Sequence, residues 1–125
     1  ISGVPSDDRD VTKARNEGNE RAKLAQDILE YQISKFIGGY LVALGGCDAI
    51  VFTAGVGENQ ASHRAAVCDY LAFLGVKIDP ALNEEMVRGK EGKISTPDSS
   101  MEVYVIPTNE ELVIARDTKA LVEKL

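Results

Sequence analysis

Tryptophan is absent from this chain of 125 residues, and histidine occurs once, at His63. A lone histidine one turn before Val67 is expected to be packed or at the surface rather than catalytic. Cysteine is nearly as scarce. Cys47 and Cys68 have no metal-ligand spacing and neither lies in a C-x-x-C, so both are expected to be reduced thiols of a cytosolic protein. No signal-peptide pattern is read at the start. No apolar run is long enough to cross a bilayer; the richest, from Phe36 to Leu44, is interrupted by Gly38 and Gly39. Basic residues are in the minority, 14 Lys and Arg against 20 Asp and Glu, for a net charge of −6. That balance argues against nucleic acid as a partner, because neutralising phosphates takes clustered Lys and Arg. It does not exclude a nucleotide, which backbone N–H groups, a few side chains and a metal can hold.

What is present suits one compact domain: 44% of the residues are hydrophobic and 27% charged. Ile1 in place of Met leads us to expect a longer or processed polypeptide, and a function to match. The first ten residues read as loop. A short helix is expected over Asp10–Glu17, and a long one from Glu20 to about Leu44, capped by Asn19 and closed by Gly45 and Gly46. Leu29, Ile33, Phe36, Ile37, Tyr40, Leu41 and Leu44 fall on it at spacings of three and four. Ala49–Thr53 reads as a buried strand and Ala61–Leu74 as a helix with Val67, Tyr70, Leu71 and Leu74 on one face, ended by Gly75. Val76–Ile78 suits a short strand, Pro80–Val87 a brief helix with Pro in its first turn, Lys93–Thr96 an extended piece and Glu102–Ile106 a strand. The acids between Asp79 and Glu91 suit a solvated face. A helix from Glu110 to about Glu123 closes the chain. This order gives an α/β layer with helices on a sheet.

The stretch FTAGVGEN, Phe52 to Asn59, places two glycines after a strand and before a helix. Such bends present ligand sites at the carboxyl ends of strands, and glycine lets the backbone approach a ligand closely. The dinucleotide fingerprint fails at its third glycine, where Gln60 stands, and no Gly-Lys-Ser/Thr follows to make a P-loop. Glu58 opposes a bare phosphate, so adenine or ribose is the better tenant. A turn that merely needs positive φ remains the alternative.

Two further polar clusters stand out. In SDDRD, Ser6 to Asp10, Asp7 can accept from ribose hydroxyls and Arg9 can stack on a base or pair with phosphate; the alternative is a solvated turn with Asp10 as helix cap. In PTNEE, Pro107 to Glu111, Thr108 and Glu111 have capping-box spacing. Glu110 is left free at a strand-to-helix junction, where a carboxylate can serve Mg²⁺ or only answer the helix dipole.

Taken together in order, SGVPSDDRD, VFTAGVGEN, TPDS and IPTNEELVIARDT resemble the acetate kinase family over nearly the whole chain. The resemblance implies an RNase H-like domain of the actin-like ATPase superfamily. The chain is then the second half of the C-terminal domain, roughly the last third of a two-domain enzyme. It also implies phosphoryl transfer between ATP and acetate with Mg²⁺, giving acetyl phosphate and ADP, and a homodimer joined through C-terminal domains. Propionate kinases share these motifs. By the same resemblance, Asp7, Asp8 and Arg9 are nucleotide contacts, and Gly55, Val56, Gly57, Glu58 and Asn59 surround the adenosine and its phosphate end. Glu110 is the Mg²⁺-linked acid. One departure is Pro5-Ser6-Asp7-Asp8, where the family more often has Ser-Ser-Asp followed by an apolar residue. The family's acyl pocket, catalytic Asp and phosphoryl-stabilising His and Arg match no residue of this chain, which is expected to be inactive alone. A non-catalytic nucleotide-binding or dimerisation module is the rival expectation.

Overall fold

The computed structural model describes residues 1–4 and 7–124; the Pro5–Ser6 part of the departure noted above lies outside them. Helix α1 spans Asp8–Asn16. It begins two residues earlier than the expected Asp10, because Asp7 is the cap: its carboxylate accepts from the Arg9 N–H at 2.9 Å. Asp8 and Asp10 then fall in the first turn, where the helix dipole favours acids.

Helix α2, Glu20–Leu44, starts and stops where its punctuation says. The Asn19 side chain accepts from the N–H groups of Arg21 and Ala22, both at 3.0 Å. Gly45 closes the helix in the left-handed region at φ +72°, a conformation that favours glycine. Its orientation departs from the apolar periodicity. The buried positions are Ala22, Gln26, Glu30 and Ser34, whereas Phe36, Tyr40 and Leu44 are exposed. Ile33 and Ile37 alone of the apolar set pack against the main core.

Strand β1, Ala49–Phe52, runs parallel to β3, Glu102–Val105, with Ile50 opposite Val103 and Phe52 opposite Val105. The short β2, Gly92–Lys93, pairs antiparallel on the other side of β3, so the order is β1-β3-β2. Val76–Ile78 is not a strand; it contributes one bridge, Ile78 to Ser95. Helix α4, Ala61–Tyr70, continues as a single 3₁₀ turn, Ala72–Leu74, and Gly75 ends it at φ +85°. Val67 and Leu71 of its expected face are buried, but Tyr70 and Leu74 are exposed. Helix α5, Pro80–Glu85, has Pro80 in its first turn and Asp79 as cap. The core joins Ile50, Val67, Leu71, Val76, Ile94, Val103 and Val105 between sheet and α4. Cys68 lies among them as a free thiol, which burial pushes up to about 12, so it behaves as an inert apolar residue. No helix among the described residues is long and apolar enough to cross a membrane.

Candidate functional site

Between β1 and α4 the glycine bend folds into a helix of its own, α3, Ala54–Asn59. This corrects the turn reading. The positive φ falls on Ala54, at +59°, while Gly55 and Gly57 are helical. A left-handed alanine costs about 1–2 kcal/mol, so partners must hold it. Thr108, just after β3, is that partner. Its hydroxyl meets the Thr53 hydroxyl and accepts from the Ala54 N–H at 3.3 Å, and its own N–H donates to the Glu58 carboxylate at 2.7 Å. Glu58 is therefore a clamp between α3 and the β3 loop.

The two glycines differ in purpose. A Cβ on Gly57 would meet the Phe52 backbone carbon at 3.4 Å, so that glycine lets α3 lie tightly on the end of β1. A Cβ on Gly55 would meet nothing within 4 Å. Gly55 borders two cavities instead. One, of about 390 Å³, is walled by Gly55, Glu58, Thr108, Glu110 and Glu111. The other, of about 430 Å³, is walled by Asp7, Asp8, Arg9, Gly55, Val56 and Asn59. The sequence clusters are thus brought to the two sides of α3.

On the second side, Arg9 grips Asp7 in a bidentate pair, Nε to Oδ1 at 3.0 Å and Nη2 to Oδ2 at 2.7 Å. The guanidinium hydrogen bonds, with the Arg9 N–H, hold the Asp7 carboxyl down at about 2. The Asn59 amide donates to the Gly55 carbonyl at 3.0 Å, and its oxygen accepts from the Arg88 N–H at 3.0 Å. Asn59 so closes α3 and secures Arg88, which sits at φ +56°.

On the first side, the capping box expected between Thr108 and Glu111 does not form. Thr108 is committed to α3, and Asn109 caps α6, Glu110–Val122, accepting from the Leu112 N–H at 3.0 Å. Glu110 is exposed on the first turn. Among the described residues no three His, Cys, Asp or Glu side chains form a metal cage. The wall of Glu58, Glu110 and Glu111 nevertheless suits Mg²⁺, which is ordinarily held by one or two carboxylates with waters and phosphate oxygens supplying the rest.

Arg64 escaped the sequence reading. It is completely buried on α4 and donates to the carbonyls of Gly57 at 2.8 Å, Asn83 at 2.6 Å and Met86 at 2.9 Å, and to the Asn83 side chain at 2.8 Å. It satisfies the open carbonyl ends of α3 and α5 together. Its signal was positional: Arg64 stands three residues before Val67 and seven before Leu71, on the core face of the helix.

The model of the acetokinase family matches residues 1–116. The chain belongs to the acetokinase family. Acetate kinase of Thermotoga maritima is 59% identical over 98% of this chain and 30% of its own length. The crystal structure of the Porphyromonas gingivalis acetate kinase superposes with a TM-score of 0.84 at 48% identity, over 98% of this chain and 30% of that one. A propionate kinase from Francisella tularensis gives 0.78 at 38% identity, over 87% and 27%. The chain spans about 30% of the length of the curated acetokinase relatives it matches. Its α/β architecture is that of the corresponding part of these kinases.

Proposed function

We propose that residues 1–125 are the nucleotide-binding part of the C-terminal domain of an acetate kinase, which transfers the γ-phosphoryl group of ATP to acetate and yields acetyl phosphate and ADP. The observation that carries this reading is the position of Gly55. It is open to both cavities, between Asp7–Arg9 and Glu110, in a chain of the acetokinase family. Adenosine lies against Gly55 and Val56, with Asp7, Asp8 and Arg9 on its flank and Glu58 and Asn59 fixing the helix beneath it. The triphosphate points toward Glu110, which holds Mg²⁺ through oxygen or water. When bound, that ion neutralises phosphoryl charge. Acetate is taken as the acyl acceptor because the curated relatives, at 52–59% identity, are acetate kinases; a propionate kinase is the related alternative, since the acyl pocket lies outside this chain. The enzyme works in the cytoplasm as a homodimer. Exposed Phe36, Tyr40, Val42 and Leu44 on α2 leave apolar surface for other parts of the molecule or its partner.

The test is Gly55→Val in the full-length protein. ATP affinity should fall at least tenfold, with the acetate KM and melting midpoint nearly unchanged. Unaltered ATP affinity in a folded variant removes the nucleotide from this site. Residues 1–125 alone should make no acetyl phosphate, since phosphoryl transfer needs charge stabilisation from several sides.

A further inference from the structure

His63 is buried, and both ring nitrogens face carboxylates. Nδ1 lies 2.8 Å from Glu30 Oε1 on α2, and Nε2 lies 3.3 Å from Asp8 Oδ1 on α1. Arg15 Nη1 meets Glu30 Oε1 at 3.3 Å from the far side. His63 and Arg15 so give polar partners to carboxylates that burial requires to be paired, and His63 Nε2 also lies 3.4 Å from the Gln26 amide nitrogen. Gln26 and Thr12 complete the group: Gln26 accepts from Arg15 at 3.1 Å and donates to the Thr12 hydroxyl at 2.7 Å.

The carboxylates depend on His63 unequally. Glu30 keeps Arg15 without it. Among the described residues Asp8 then keeps the Gln26 amide at 3.5 Å from Oδ1, and its Oδ2 is buried with no hydrogen-bond partner among them. A partly buried carboxylate stripped of its close partner turns toward water. Asp8 is the first residue of α1, next to Asp7 and Arg9, and lines the same cavity.

We infer that His63 is a positioning residue of the nucleotide pocket, acting through Asp8 to hold the first turn of α1, and with it Asp7 and Arg9, against α3. The inference rests on the nucleotide reading proposed above.

The experiment measures ATP dissociation constants, kcat and melting midpoints on the full-length protein. The variants are His63→Leu, His63→Gln, Asp8→Leu and the Asp8→Leu/His63→Leu pair. His63→Leu should weaken ATP about tenfold while kcat at saturating ATP changes less than twofold. His63→Gln, which keeps a donor, should recover part of that loss and provides the measurement if the leucine variant does not fold. In the Asp8→Leu background, His63→Leu should shift ATP affinity less than twofold, because the residue it acts through is gone. ATP affinity unmoved by either His63 substitution overturns the inference, and so does an equal tenfold loss with and without Asp8. Gly55→Val in the same assay separates the two readings. If it weakens ATP and the His63 variants do not, only the role of His63 fails; if it does not, the nucleotide site itself fails.

Discussion

The α1 and α6 walls of the site are anchored in opposite ways. The α1 wall rests on a buried set of charges reaching into α2 and α4, with Glu30 and His63 each 3% exposed. The α6 wall is fixed locally, by Glu58 and Thr108 at the mouth of the loop and by the Asn109 cap, and α6 is exposed along its length. Buried anchors are strong but couple distant elements, because a charge in low dielectric must keep its partner. Exposed anchors are individually weak and act where they stand. Substitutions in the α1 wall should therefore travel, and those in the α6 wall should stay local.

The largest effect is expected beneath both walls, in the full-length protein. Arg64→Leu leaves the carbonyls of Gly57, Asn83 and Met86 buried and unpaired, and should cost roughly 3–5 kcal/mol of stability by denaturant melting. A loss below about 1 kcal/mol would show that α3 does not hang on this residue. Next comes α3 itself. Gly57→Val adds methyls to a Cβ position already in contact with Phe52 and should cost about 1–3 kcal/mol, whereas Gly55→Val should leave the midpoint nearly alone and act on ATP. Equal destabilisation by the two would erase the distinction between a packing glycine and a ligand-facing one.

Smaller effects probe the α6 wall. Glu58→Ala removes the acceptor for the Thr108 N–H and should cost about 1–2 kcal/mol, with faster hydrogen exchange at Thr108 and little change at Asp8. Faster exchange spreading into α1 would mean that the walls are not independent. Asn109→Ala should cost about 0.5–2 kcal/mol, and Glu111→Ala less than about 0.5 kcal/mol. Glu110→Ala should raise the Mg²⁺ concentration needed for half-maximal turnover without lowering the melting point; an unchanged Mg²⁺ dependence would end its assignment to the metal.

The smallest effect is on the α1 surface, where Asp7 and Arg9 pair in water. The folded Asp7 carboxyl is held at about 2, below its ordinary 3.8. The pair therefore contributes fully above the ordinary value and is lost as pH falls through about 2. Carboxyl chemical shifts should show Asp7 titrating below the other exposed acids. Titration with them would mean that Arg9 swings free.

Helix limits were legible because their causes are local. Asn19, Gly45, Gly75 and Pro80 act on backbone groups within a few residues, and each stands where expected; from the sequence the Asp79 cap reads only as part of a solvated face. The polar clusters were legible as residue types in order. The cap at Asn109 was missed because Thr108 satisfies the local rule for a capping box, yet a partner 55 residues away, Thr53, claims its hydroxyl.

The sequence by itself determined most of the helix punctuation, the α/β class and the family, since propensity, capping and motif spacing are carried by neighbouring residues. Only the tertiary structure decided that Ala54, and not a glycine, takes the left-handed turn, and that Glu58 clamps a distant loop. Only the fold turned the polar stripe of α2 inward and set His63 between Glu30 and Asp8. Each of these depends on which side chains from distant segments meet. Periodicities of two and 3.6 residues tell which face a side chain shares, not what the fold places opposite it.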